Sequence, residues 1–186
     1  EKMSSMVNYE DRATCPLFGD GAAAVLMEPT EEPVGFVDGV FHVDGSGLEH
    51  LVYKAGGSAH PTTHETVDAK ENCLYQEGRA VYKSAVMDMF NSSKEVMERN
   101  NLKIEDVKWF VPHQANLRII EAVGSRLGLS EEQVLVNIQK VGNTSAASIP
   151  ICLDHNKGKL KKGDKIVLTA FGAGFTWGAS YLIWGM

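Results

Sequence analysis

The chain has 186 residues, 44% of them apolar, with 18 basic and 24 acidic side chains and a formal net charge of −6. That length suits one domain with a real core, and the acidic balance argues against wholesale nucleic-acid binding. No run approaches the roughly 20 apolar residues of a membrane-spanning helix, and no signal peptide opens the chain, so no membrane partner is expected. Cys15, Cys73 and Cys152 are isolated, odd in number and not at metal-ligand spacing. They point away from a disulfide framework and towards a reducing, cytoplasmic setting. The chain starts at Glu1 rather than at methionine, and is expected to be a processed or truncated piece of something longer.

Residues 17–28, LFGDGAAAVLME, read as a buried strand interrupted by a glycine turn, and residues 34–44 alternate well enough for another strand. From about 45 to 78 the chain is rich in Gly, Ser, His, Thr and Glu, which reads as an extended surface excursion. Residues 79–99 are the best helix: Tyr82, Ala85, Val86, Met89 and Phe90 share one face. VKWFV, 107–111, is strand-like, Ala115 to Leu127 reads as a helix, and Gly128 as its stop. Asn143 to about His155 reads as a buried helix in which Pro150 should cost one backbone hydrogen bond. KIVLTAF and TWGASYLIW read as two strands around a glycine corner at 172–174. Strands and helices alternate, so the class is α/β with a mixed sheet.

Polar side chains interrupt this pattern at VPHQAN, 111–116, where a strand gives way to a helix. Functional groups collect at such carboxyl ends of strands in α/β proteins. A histidine there is more often a structural hydrogen-bonder, so position alone does not make His113 catalytic. Asn143, in GNTSAAS, 142–148, can be read simply as an N-cap. FGAGFTWGA, 171–179, can be read as a tight hairpin corner; its glycine spacing and the lack of a following helix exclude a dinucleotide fingerprint.

Taken together and in this order, VPHQAN, GNTSAASIP and FGAGFTWGA resemble the C-terminal half of β-ketoacyl-[acyl-carrier-protein] synthase III, of the thiolase superfamily. DRATCPLFGDGAAAVL, 11–26, resembles the family's segment just before its mid-chain junction. The resemblance implies a thiolase-like half: residues 1–30 as the tail of the N-terminal half, and 31–186 as the C-terminal domain. It implies a decarboxylative Claisen condensation of acyl-CoA, acetyl-CoA expected first, with malonyl-acyl carrier protein, the step that initiates fatty acid synthesis. Coenzyme A thioester is then a substrate, and no cofactor or metal is expected. The full-length family forms homodimers through contacts mainly in the half that this chain lacks.

The difficult species in that reaction is the enolate left by decarboxylation, whose oxygen needs preorganised donors in a dry pocket. The resemblance carries this role to His113 and Asn143, with His113 neutral when it donates. It carries a backbone oxyanion donor to Ala173, a place beside the reactive cysteine to Phe171, and the pantetheine tunnel wall to Asn116. Gln114 is expected only to pack at the helix start. Arg12 matches an arginine at the mouth that meets the coenzyme A nucleotide. Acyl carrier proteins are acidic, so Lys83, Arg118 and Arg126 are candidate docking residues; the alternative for each is an ordinary solvated side chain.

One catalytic part is missing. The family's nucleophilic cysteine lies upstream, and neither Cys15, in a strand approach, nor Cys73 nor Cys152 sits in a recognisable elbow. The fragment alone is therefore expected to be inactive and, with the face for its twin half exposed, to associate or be marginally stable. Two other readings keep the fold: a non-catalytic thiolase-like partner subunit, against which the pair His113 and Asn143 argues, and a synthase for a secondary metabolite. A metal site at His60 and His64, with His42 and His50 nearby, is disfavoured because Pro61 and the surrounding glycines deny the pair a helix face.

Overall fold

The computed structural model describes all residues 1–186. Its centre is a four-stranded mixed sheet built from β1 (Gly35–Val43), β4 (Trp109–Pro112), β5 (Lys165–Gly172) and β6 (Thr176–Ile183), in the order β1-β6-β5-β4. β4 and β5 are parallel; β5–β6 and β6–β1 are antiparallel. β2 (Leu51–Val52) and β3 (Tyr75–Gln76) form a separate small ladder. The helices are α1 (His64–Asp68), α2 (Gly78–Arg99), α3 (Leu117–Leu127), α4 (Ile138–Val141) and α5 (Ser148–Asn156).

The inner strand β5 is covered on both faces, which is why its sequence is apolar almost throughout. Val167 joins the larger core with Met89, Phe110, Ile119 and Val123, under α2 and α3. Its neighbour Ile166 points the other way, into a smaller core with Val111, Leu135 and Cys152 of α5. Period-2 alternation between two buried faces leaves no polar side. α2 is clipped to the edge strand at its far end: Arg99 donates to Asp38 at 3.0 Å and Asn100 to the other oxygen of Asp38 at 2.9 Å. α3 begins at Asn116, whose side chain accepts from the Arg118 N–H, and ends at Gly128 with φ +79°, as the sequence predicts for a glycine stop.

Four expectations need correction. Residues 21–31 form neither helix nor strand, and Val25, Leu26 and Met27 are exposed; no strand of the sheet pairs with them. The excursion 45–78 is not featureless: it contains a 3-10 helix at Gly45–His50, the β2–β3 ladder, and α1 with a reciprocal capping box between Thr63 and Thr66. α5 starts at Ser148, after a 3-10 turn at Ser145–Ala147, so Pro150 lies in its first turn, where its missing N–H costs no intrahelical bond. Cys15 opens a 3-10 turn rather than approaching a strand.

Candidate active site

The β4 strand delivers His113. The His113 N–H continues the ladder to the Thr169 carbonyl at 2.7 Å, and the side chain is left 9% exposed beyond the strand end. Its Nδ1 lies 2.6 Å from Ser148 Oγ, at the first residue of α5. Ser148 Oγ also accepts from the Gln114 N–H at 3.3 Å, which leaves its own proton free to donate to Nδ1. The ring proton then sits on Nε2, which has no partner in the chain. Burial pushes the His113 pKa down to about 4, so the ring is neutral near pH 7.

Gln114 does more than pack. It is fully buried, donates to the carbonyls of Pro112 (2.8 Å) and Leu135 (3.3 Å), and accepts from the N–H groups of Asn137 (2.9 Å) and Ile138 (3.2 Å). It ties the end of β4 to the start of α4 and so holds His113 from the side.

Asn143 is positioned from two directions. Its Oδ1 accepts from the Ser145 N–H at 2.9 Å, an Asx turn of the kind that asparagine favours, which leaves Nδ2 unspent. Its backbone is stitched to the start of the chain: Asn143 N–H to the Leu17 carbonyl at 2.8 Å, and Gly19 N–H to the Asn143 carbonyl at 2.9 Å. A Cβ at Gly19 would come within 2.0 Å of the Val141 carbonyl oxygen, so this approach requires glycine. Ser145, with φ +51°, holds a left-handed conformation beside the site.

His113, Asn143, Asn116, Phe171, Ala173 and Arg118 line one cavity of about 610 Å³, with apolar walls from α2, α3 and residues 13–18. Phe171 packs on Phe175 with ring centroids 4.7 Å apart. The Ala173 N–H, on the corner between β5 and β6, has no acceptor in the chain. The cavity is thus an apolar chamber with a neutral imidazole, an amide and a free backbone N–H on its wall. Such donors suit an oxygen that gains negative charge.

The remaining candidates lie elsewhere. Arg12 is exposed and does not line the cavity, although its neighbour Ala13 does. Lys83 lines a separate hollow of about 350 Å³ with Asp44, Asp88, His50 and Phe175. There Asp88 has its pKa raised by burial and by Asp44. Arg126 is exposed in the last turn of α3, where a cation favours the helix dipole. No cysteine lines the cavity, and burial pushes the Cys152 thiol up to about 12. His60 Nε2 pairs with Glu71 at 2.8 Å, while His64 opens α1.

Sequence reasoning missed Ser148, whose only signal is that it ends the GNTSAAS motif. It also missed Arg79 and Tyr82, which line the cavity from the first turns of α2.

Two family models fit this arrangement. The one described as 3-oxoacyl-[acyl-carrier-protein] synthase III C terminal matches residues 97–184, and the one described as 3-oxoacyl-[acyl-carrier-protein] synthase III matches residues 1–45. The chain belongs to this family. It is 61% identical over 184 residues to a β-ketoacyl-[acyl-carrier-protein] synthase III of Porphyromonas gingivalis, covering 99% of this chain and 55% of that protein. It is 57% identical over 185 residues to synthase III 2 of Bacteroides thetaiotaomicron, covering 100% of this chain and again 55% of the relative. A crystal structure of the Thermus thermophilus synthase III superposes with a TM-score of 0.87 at 41% identity, covering 98% of this chain and 56% of that one. The fold is therefore thiolase-like, as the motifs implied, and the chain spans about half the length of these synthase III relatives.

Proposed function

We propose that this chain is the C-terminal catalytic portion of a condensing enzyme that joins an acyl group from acyl-CoA to malonyl-acyl carrier protein. Residues 1–30 belong, in this reading, to the tail of the preceding thiolase-like half, and 31–186 to the second. In the reaction, the bond between the malonyl carboxylate carbon and the α-carbon breaks and carbon dioxide leaves. The bonding electrons pass into an enolate, whose oxygen is held by His113 Nε2–H and Asn143 Nδ2–H. The enolate carbon then attacks the acyl carbonyl carbon held as a thioester on a cysteine outside this chain. The Ala173 N–H receives the oxygen of that second intermediate, and the thiolate departs. Acetyl-CoA is the expected first donor, and the acyl carrier protein docks around Arg118 and the neighbouring basic side chains.

The observation that carries this reading is a neutral, buried His113 sharing an apolar cavity with Asn143, each with one donor unspent. Catalysis needs donors that do not have to lose a proton, and the low pKa of His113 supplies one. A non-catalytic partner subunit would have no use for this arrangement.

The test is release of labelled carbon dioxide from a malonyl thioester by the complete protein. His113→Ala and Asn143→Ala should each slow it by about 10²–10³-fold, the usual cost of removing one oxyanion donor. Unchanged release in both variants would sink the reading. The 186-residue chain by itself should form no condensation product.

A further inference from the structure

Ser145 stands two residues beyond Asn143 and lines the same cavity. Its backbone is left-handed, with φ +51°, a conformation that is strained in a residue with a Cβ. Lys70 (φ +60°) and Asn101 (φ +53°) share that conformation, but each lies just past the cap of a helix, α1 or α2, where a left-handed residue is usual. Ser145 closes no helix. It opens the 3-10 turn that leads into α5.

Turn geometry alone would be met by glycine, as it is at Gly142, with φ +68°. Serine adds a hydroxyl. The Ser145 hydroxyl has no hydrogen-bond partner in the chain, while the Ser145 N–H is held by Asn143 Oδ1 at 2.9 Å. That bond fixes the hydroxyl-bearing residue to the side chain whose Nδ2 faces the enolate. No carboxylate lines the cavity, and its two cations, Arg79 and Arg118, are exposed. An anionic group carried deep into this chamber is therefore met chiefly by neutral donors.

We propose that the Ser145 hydroxyl donates to the leaving carboxylate of the malonyl group and holds the breaking bond perpendicular to the plane of the thioester carbonyl. This rests on the reading of the cavity as a condensing site, with His113 and Asn143 on the carbonyl oxygen. In that arrangement the electrons of the bond between the α-carbon and the carboxylate carbon pass directly into the enolate. Carbon dioxide leaves uncharged, and the serine keeps its proton throughout. A neutral donor suits the step, because the carboxylate loses its charge on the way to the transition state. A cation there would hold the ground state more tightly than the transition state and slow the reaction. The strained backbone of Ser145 then has a function: it aims a hydroxyl that glycine could not supply.

The test compares two rates in the complete protein: release of labelled carbon dioxide from malonyl-acyl carrier protein, and loading of the acyl group from acetyl-CoA, which involves no carboxylate. Ser145→Gly removes the hydroxyl and relieves the backbone, so it should melt at about the wild-type temperature. Ser145→Ala removes the hydroxyl and keeps the strain. Both should lower the ratio of release to loading by about 10–10²-fold, the scale of a lost orienting contact, and the loss should appear in kcat rather than in KM for the malonyl substrate. Wild-type release in Ser145→Gly overturns the assignment, because the backbone alone then suffices. An equal fall in release and loading also overturns it, as general damage to the cavity, and leaves the condensing reading standing. Failure of the wild type to release carbon dioxide overturns both.

Discussion

Residues 17–28 and residues 165–172 are equally convincing strands on paper, and only the second is one. KIVLTAF lies between β4 and β6 with Ile166 and Val167 fully buried. AAAVLM makes no ladder, and Val25 and Leu26 stay 71% and 85% exposed. Propensity and apolar content do not separate the two. What separates them is a neighbour that completes the hydrogen bonds and buries the side chains, because most strand stability is packing against partners. Leu17 and Gly19 show the same rule from the other side: both are hydrogen-bonded to the backbone of Asn143.

The comparison can be broken by equal changes at the two places. Ile166→Ala should cost about 2–5 kcal/mol of stability, the range for a large-to-small change in a closed core, read by chemical denaturation. The same kind of truncation at Leu26 should cost less than about 0.5 kcal/mol. Equal losses would mean that residues 21–28 pack in solution after all.

An acid titration sharpens the picture at the site. The folded-state pKa of His113 is depressed, so the unfolded chain binds this proton first as pH falls. His113's contribution is fully present above its unfolded pKa of about 6.5, and is lost as pH falls from there to about 4. The loss should reach roughly 3 kcal/mol, and His113→Gln should flatten that part of the stability profile. A profile unchanged by the substitution would contradict the burial of the ring.

Gly19→Ala should cost about 1–3 kcal/mol, since its new Cβ must displace the Val141 carbonyl. It should also loosen Asn143, visible as faster exchange of the Asn143 amide. The smallest effect on stability should come from charging residues 25–27. Replacing Val25, Leu26 and Met27 with Lys, Glu and Lys should leave the unfolding midpoint nearly unchanged while reducing self-association by light scattering. Undiminished association would place the sticky surface elsewhere, on the exposed Phe41 and Val43 of the edge strand β1, for example.

Much of the fold was legible because its elements are long enough to show a period. α2 has six turns of recurring apolar positions, and α3 has both its end signals, Asn116 and Gly128. The two-residue strands β2 and β3 carry no period at all, and pair only because the chain between them folds back. Pro150 was misjudged because its cost depends on where the helix starts, which a run of small residues does not mark. His113 and Asn143 are singled out by motif resemblance rather than by physics, since each has a bland structural reading. Of the bland readings one holds and one shifts: His113 bonds Ser148, while Asn143 is no N-cap and instead turns the chain by accepting the Ser145 N–H. Ser148 was hidden because a buried serine that orients a ring looks like any other small residue in a helix.

The stitch between Leu17, Gly19 and Asn143 joins residues far apart in the chain, so the loop that presents the amide is a late-forming, high-contact-order feature. On the ribosome, the FGDG segment emerges before its partner and waits until about two thirds of this chain's length has followed. The site is thus set by the completion of the fold rather than by any local motif, and a half-made chain presents the histidine strand before it can present the asparagine.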